Sequence, residues 1–161
     1  MNKRIIVYIL GWVLIIEGAA MQIATVTSFI YGEHEGLYFL FTGAASAVLG
    51  FLAIKIKKPK NMVLYQKAGF AATALSWIMM SLVGCLPFWL SGEIPSFIDA
   101  FFETSSGFTT TGASILTEIE SLPRGILFWR SFTHWIGGMG FLIFILALIP
   151  SLSTNTIFLL K

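Results

Sequence analysis

The sequence is poor in charge and has almost no cysteine. Charged residues make up 11% of its 161 positions, and hydrophobic residues make up 57%. A soluble domain needs more charge than this on its surface. The single cysteine, Cys85, excludes an internal disulfide and a thiolate metal site. The composition predicts a protein that exposes apolar surface to a lipid bilayer, and the formal net charge of only +2 argues against nucleic acid as a partner.

Long apolar segments account for this composition. They run over residues 5–30, 37–54, 68–90 and 125–149. Each is close to the ~20 residues that a helix needs to cross a hydrocarbon layer of about 30 Å. Helices are expected because lipid cannot satisfy exposed backbone groups. The sequence therefore predicts an all-α membrane protein with several membrane crossings.

The charges of the connections predict an orientation. Residues 31–36 form a short acidic connection, and residues 55–61 carry four lysines: Lys55, Lys57, Lys58 and Lys60. The positive-inside rule places the basic connection in the cytoplasm. Two crossings then also place Lys3 and Arg4 there, so we expect a cytoplasmic N-terminus and an external acidic connection.

The connection from residue 91 to residue 124 is too long for a simple turn. Ser96 is a candidate helix N-cap, with Asp99 at the third helical position. Gly107 is a candidate residue for the position just after the helix, where glycine is common. The pattern predicts a helix that is too short to span a membrane and is either re-entrant or interfacial.

Three threonines and a glycine follow this short helix, as Thr109-Thr110-Thr111-Gly112. The threonines favour an extended strand, and glycine adopts backbone conformations closed to other residues. Carbonyl oxygens directed toward one axis can replace the hydration shell of a monovalent cation. An ordinary external loop would explain the four residues taken alone. The order of spanning helix, short helix, Thr-Gly strand and spanning helix is instead that of the pore unit of potassium channels.

Two segments resemble the Trk/Ktr/HKT superfamily of potassium transporters. Residues 99–114, DAFFETSSGFTTTGAS, resemble the first pore loop of that superfamily. Residues 122–140, LPRGILFWRSFTHWIGGMG, resemble the inner helix that follows it. The extra pair of helices before this unit is typical of the bacterial TrkH-type branch.

This resemblance implies an N-terminal transmembrane helix pair with its basic loop at residues 1–61. It also implies a first outer helix–pore loop–inner helix repeat at residues 62–150 and the start of a linker at residues 151–161. Such transporters have four repeats in one chain, and this sequence has one. We therefore expect an N-terminal fragment of a four-repeat transporter.

The resemblance also implies a function, which is potassium uptake through a pore-forming subunit of the bacterial inner membrane. The implied selectivity filter consists of Thr110, Thr111, Gly112, Ala113 and Ser114, with potassium at the first three. The implied partners are the remaining repeats, a cytoplasmic nucleotide-binding regulatory subunit and a second copy in a homodimer. No cofactor is expected besides the transported ion.

Two other functions stay open at this point. In the first, the chain is one subunit of a homotetrameric cation channel. In the second, it is a membrane anchor or assembly protein that does not conduct ions. An enzyme is not expected, because the sequence contains no recognisable nucleophile–base pair or metal cluster.

Ionisable residues at membrane depth usually pair with one another. We expect Glu103 to contact Arg130 and so to brace the short helix against the inner helix, although Arg130 could instead extend to the lipid headgroups. His134 is expected to be a hydrogen-bonded structural residue. For Glu17, a buried partner and a subunit interface both stay open.

Two further motifs have alternative readings. Glu33-His34-Glu35 lacks additional ligands nearby, so a solvated loop is expected rather than a metal site. The glycines at positions 137, 138 and 140 permit close helix packing or bending at a gate, and packing is the expected role.

Overall fold

A computed structural model describes the backbone of residues 3–57 and 66–157. It describes the side chains of all of these except residue 66 and residues 145–157. The helices in these ranges are α1 (Lys3–Ile30), α2 (Gly36–Ile56), α3 (Gln66–Gly84), α4 (Leu86–Ser91), α5 (Phe97–Phe108) and α6 (Arg124–Ile157). No strand occurs within the described ranges, so the predicted all-α class is confirmed.

Three stretches of the described chain are long and apolar enough to cross a membrane. They are Lys3–Ile30, Gly36–Ile56 and Lys67–Ser91. The predicted boundary between residues 61 and 62 lies outside the described residues, as do Lys58 and Lys60 of the basic connection. The last four residues of the predicted linker, 158–161, also lie outside them.

α1 and α2 pack closely against each other as an antiparallel pair. A Cβ atom added at Gly43 would lie 2.8 Å from the carbonyl oxygen of Gly18, and one added at Gly11 would lie 2.9 Å from that of Gly50. Small residues at these positions allow the two backbones to approach. The Ser46 hydroxyl also donates to the Leu14 carbonyl oxygen at 2.9 Å. The pair is therefore a tightly packed two-helix unit.

The predicted third segment is broken, because α3 ends at Gly84 and α4 begins at Leu86. Pro87 lacks the amide hydrogen that would bond to the Val83 carbonyl, and its ring crowds that carbonyl. The predicted apolar segment over residues 68–90 is thus present as a stretch long enough to cross a membrane, and the break at Cys85 is a feature that the sequence analysis did not predict.

The predicted fourth segment was too short. α6 continues through Pro150 to Ile157, past the predicted end at residue 149. A proline inside a helix removes a single intrahelical hydrogen bond, and membrane helices tolerate this loss.

The buried core joins the N-terminal helix pair to the remaining helices. Trp129 of α6 is fully buried at its centre. Its ring packs edge-on against Phe39 of α2 at 6.2 Å between centroids and against Phe108 of α5 at 6.4 Å. Such aromatic pairs add stability beyond the area they bury. This core fixes α5 between α3 and α6.

Candidate ion-binding loop and its supports

α5 begins where the sequence predicts, because Ser96 caps it. Ser96 has an extended backbone, and its hydroxyl accepts the amide hydrogen of Asp99 at 3.3 Å. Asp99 lies in the first turn, where the helix dipole favours a negative charge. The other end of α5 is buried at Gly107 and Phe108. The helix thus has its exposed cap at one end and its C-terminus inside the protein.

α5 ends in a Schellman motif in which a threonine occupies the usual glycine position. The Thr111 amide donates to the Ser106 carbonyl at 3.0 Å, and the Thr110 amide donates to the Gly107 carbonyl at 2.9 Å. Thr110 is left-handed, with φ 57°. The prediction that Gly107 follows the helix was wrong, because Gly107 is itself helical. The predicted extended strand was also wrong at Thr109, where φ is −85° and ψ is −1°, and at Thr110.

The threonine loop, residues 109–116, then turns a second time at Gly112. Gly112 has φ 76°, and nothing lies within 4 Å of a Cβ atom added there. Glycine is therefore favoured at this position by the backbone conformation and not by a lack of space for a side chain. The Ser106 hydroxyl donates to the Ala113 carbonyl oxygen at 2.6 Å. That carbonyl is therefore tied back to α5. Residues 109–115 are exposed in the described chain.

Glu103 holds the far side of the threonine loop. Its side chain is 1% exposed, and its carboxylate accepts hydrogen bonds from the Ser114 hydroxyl at 3.0 Å and from the Ile115 amide at 3.2 Å. Arg130 of α6 donates to the same carboxylate through Nε at 2.6 Å. The predicted contact between Glu103 and Arg130 is therefore present. It joins α5, α6 and the threonine loop at one carboxylate, and charge-assisted bonds of this kind are strong.

A tryptophan and a glycine hold the C-terminus of α5 from behind. The Trp77 indole nitrogen of α3 donates to the Phe108 carbonyl oxygen at 3.1 Å, which satisfies a carbonyl left free at the helix end. A Cβ atom added at Gly137 would collide with the Phe108 backbone. Gly137 is thus a packing glycine, as expected. The sequence suggested a packing or interfacial role for Trp77 but not this hydrogen bond, although a buried indole usually finds an acceptor.

Neighbouring residues of α6 complete this packing. A Cβ atom added at Gly107 would collide with the Thr133 side chain. The Trp129 indole nitrogen donates to the Gly84 carbonyl oxygen at 2.9 Å, at the break between α3 and α4. His134 Nδ1 lies 2.9 Å from the Arg130 carbonyl oxygen, which agrees with a structural histidine.

Glu33, from the connection between α1 and α2, caps the N-terminus of α6. Its carboxylate accepts the amide hydrogens of Arg124 at 2.6 Å and Gly125 at 3.0 Å. The connection is exposed or half-buried, as expected of a solvated loop, but the sequence did not indicate the capping role of Glu33, whose partner amides lie more than 90 residues away. Within the described residues no group of three or more potential metal-ligating side chains is found, here or elsewhere.

Glu17 is buried behind α5. It is 1% exposed, and neither carboxylate oxygen has a hydrogen-bond partner among the described residues. A Cβ atom added at Gly84 would lie 3.1 Å from Glu17 Oε1. The carboxyl group thus lies beside the break between α3 and α4. No hydrogen-bond partner for Glu17 is present among the described residues, and its place at a subunit interface stays a prediction.

These features define a class: a helical membrane protein in which a short helix and an anchored loop lie between two long helices. The family model for TrkH, described as a cation transport protein, matches residues 37–161. The chain belongs to this family, and the predicted resemblance is confirmed.

Relatives agree with this assignment over nearly the whole chain. An uncharacterized cation transporter of Methanocaldococcus jannaschii is 39% identical over 138 residues, which are 86% of this chain and 29% of the relative. The Trk system potassium uptake protein TrkH of Escherichia coli K12 is 35% identical over 157 residues, which are 96% of this chain and 32% of that protein.

The fold matches a solved structure of the same family. The crystal structure of the potassium transporter TrkH from Vibrio parahaemolyticus superimposes with a TM-score of 0.87 at 32% identity, covering 93% of this chain and 32% of that one. The chain thus spans about a third of the length of these relatives.

Proposed function

We propose that this protein takes up potassium ions across the cell membrane as the pore-forming subunit, and that this chain supplies its N-terminal helix pair and first pore repeat. The observation that carries the proposal is the threonine loop, which is exposed, turns at Gly112 with φ 76°, and is anchored from behind. Two relatives named above are a potassium uptake protein and a potassium transporter.

The loop divides into residues that are free to meet an ion and residues that anchor it. The Ala113 carbonyl accepts from Ser106, and the Ser114 hydroxyl donates to Glu103. We assign to both an anchoring role in the filter. Thr110, Thr111 and Gly112 are then the residues that provide oxygen ligands to potassium. Carbonyl oxygens suit this cation because they replace its hydration shell.

A single loop covers one side of an ion. A filter of this kind surrounds the ion with oxygens from several directions, so we propose that further repeats of the complete protein supply the other loops. The division at residues 1–61, 62–150 and 151–161 belongs to this proposal. So do a cytoplasmic N-terminus, a bacterial inner-membrane location, a nucleotide-binding regulatory subunit and a homodimer partner.

The test compares two glycines that have the same backbone requirement. Gly112 and Gly92 both have positive φ, 76° and 82°, and nothing lies within 4 Å of an added Cβ at either. Serine therefore meets similar strain at both, but only Gly112 lies in the threonine loop. Potassium and sodium uptake by the complete protein would be measured in cells that lack other potassium uptake systems.

Gly112→Ser should lower the ratio of potassium to sodium uptake about tenfold, which corresponds to about 1.4 kcal/mol. Gly92→Ser should leave the ratio unchanged. An equal ratio in both variants would remove Gly112 from the filter and would favour a non-conducting role for this part of the protein.

A further inference from the structure

The backbone of Glu33 is fixed by hydrogen bonds at the C-terminus of α1, and its side chain extends from there to α6. α1 ends in a Schellman motif: the Gly32 amide donates to the Phe29 carbonyl at 3.1 Å, and the Glu33 amide donates to the Ser28 carbonyl at 2.9 Å. Gly32 has φ 71°, the left-handed conformation that this motif requires. These bonds fix the position of the Glu33 Cα atom relative to α1, and so the point from which its side chain extends.

α6 has no cap of its own at its N-terminus. Pro123 precedes it and has no side-chain acceptor, although its carbonyl accepts from the Leu127 amide at 3.0 Å. The first amides of a helix need partners from outside the helix. Glu33 supplies two acceptors and a negative charge where the helix dipole favours one.

The end of α6 is also fitted to the end of α1. A Cβ atom added at Gly125 would collide with the Ser28 side chain and would lie 3.4 Å from the Ala24 carbonyl oxygen. The contact therefore combines close backbone packing with two charge-assisted hydrogen bonds. It fixes where α6 begins relative to the N-terminal helix pair.

The same helix carries the support of the threonine loop. Arg130 lies six residues after Arg124 on α6 and donates to Glu103, which in turn accepts from Ser114. A shift of the first turns of α6 would therefore move Arg130 relative to the loop. We propose that Glu33 is a positioning residue for the filter, through which the N-terminal helix pair sets the geometry of the ion-binding loop. This inference rests on the proposed function of that loop.

The test uses the complete protein and a matched control in the same connection. Glu33→Gln removes the charge at the cap, whereas Glu35→Gln removes the same charge two residues away, where the side chain makes no cap hydrogen bond to α2. Glu33→Asp keeps the charge but shortens the side chain, and it replaces Glu33→Gln if that variant does not fold. The ratio of potassium to sodium uptake and the amount of protein in the membrane would be measured for each.

Glu33→Gln should lower the uptake ratio by at most about threefold, the factor that corresponds to the whole interaction of a carboxylate with a helix N-terminus when all of it acts on the loop. Glu35→Gln should leave the ratio unchanged. A lower amount of Glu33→Gln protein with an unchanged ratio would mean that the contact is only structural and would overturn the inference.

Hydrogen exchange separates this inference from the proposed function. The amides of residues 113–116 and 124–127 should exchange faster in Glu33→Gln than in Glu35→Gln, whether or not the loop selects potassium. A wild-type protein without potassium preference would refute the proposed function alone. Equal exchange in the two variants would refute the positioning role.

Discussion

Thr110 holds a backbone conformation that glycine usually provides at a helix end. Its φ of 57° costs a residue with a Cβ atom about 1–2 kcal/mol. Several bonds impose this conformation, among them the two Schellman hydrogen bonds and the bond from Ser106 to Ala113. Residues held in such strained conformations are concentrated at binding sites. The strain at Thr110 therefore agrees with a role for the threonine loop in binding an ion.

Replacement of Thr110 by glycine should relieve this strain. We expect Thr110→Gly to stabilise the complete protein by about 1 kcal/mol, seen as a higher midpoint of thermal unfolding in detergent. Thr109→Gly is the control, because Thr109 has φ −85° and its hydroxyl donates to the Ser105 carbonyl at 2.8 Å. That variant should lower the midpoint. A lower midpoint for Thr110→Gly as well would show that the left-handed conformation is not strained.

At the scale of helices, the position of α5 depends on how closely α6 approaches it. Gly137 meets the Phe108 backbone, whereas the neighbouring Gly138 meets only the Thr110 side chain, at 3.8 Å from an added Cβ. The two glycines are adjacent on one helix but differ completely in the space available to a side chain. The same substitution at the two positions therefore distinguishes the effect of close packing from the effect of helix propensity.

Gly137→Ala should destabilise the protein by about 1–3 kcal/mol, because the added methyl group must push α6 away from the end of α5. Gly138→Ala should be neutral or stabilising, since alanine favours a helix by about 1 kcal/mol over glycine. The recovery of monodisperse protein by size-exclusion chromatography and the midpoint of thermal unfolding would be compared. Equal behaviour of the two variants would contradict the close contact at Phe108.

Local features of these elements were predictable from the sequence, and distant ones were not. The Ser96 cap depends on an amide three residues away, and the apolar lengths of the spanning helices are visible directly. The contact between Glu103 and Arg130 was predictable because buried charges need partners. The Glu33 cap was not, since nothing in its neighbourhood indicates amides that are 91 and 92 residues distant. The left-handed conformation of Thr110 was not predicted, because glycine is the usual residue at its position.

At the scale of the whole molecule, three acidic residues gather where the helix connections meet. Burial raises the pKa of Glu93 above its ordinary value of 4.5, and the carboxylates of Glu35 and Glu33 raise this pKa further. The folded protein therefore binds this proton more tightly than the unfolded chain does. Stability from this group is greatest at low pH and falls as the pH rises from about 4.5 through the raised pKa.

Glu93→Gln removes this pH dependence. The variant should have a higher midpoint of thermal unfolding than the wild type at neutral pH, and the difference should shrink as the pH falls toward 4.5. Glu118→Gln, at an exposed position, serves as the control and should follow the wild type. A constant difference between Glu93→Gln and the wild type at all pH values would show that Glu93 does not titrate in this range.

The distance in sequence between Glu33 and Arg124 also sets an order of events during synthesis. The two residues are 91 positions apart, and a ribosome adds about 5–20 residues per second, so Glu33 emerges about 5–18 s before its partner. During that interval α1 and α2 pack without α6, and the close approach of their backbones at the glycines of both helices stabilises the pair. The helix pair is thus synthesised in full before α6, and the cap at Glu33 can form only after residues 124 and 125 have been added.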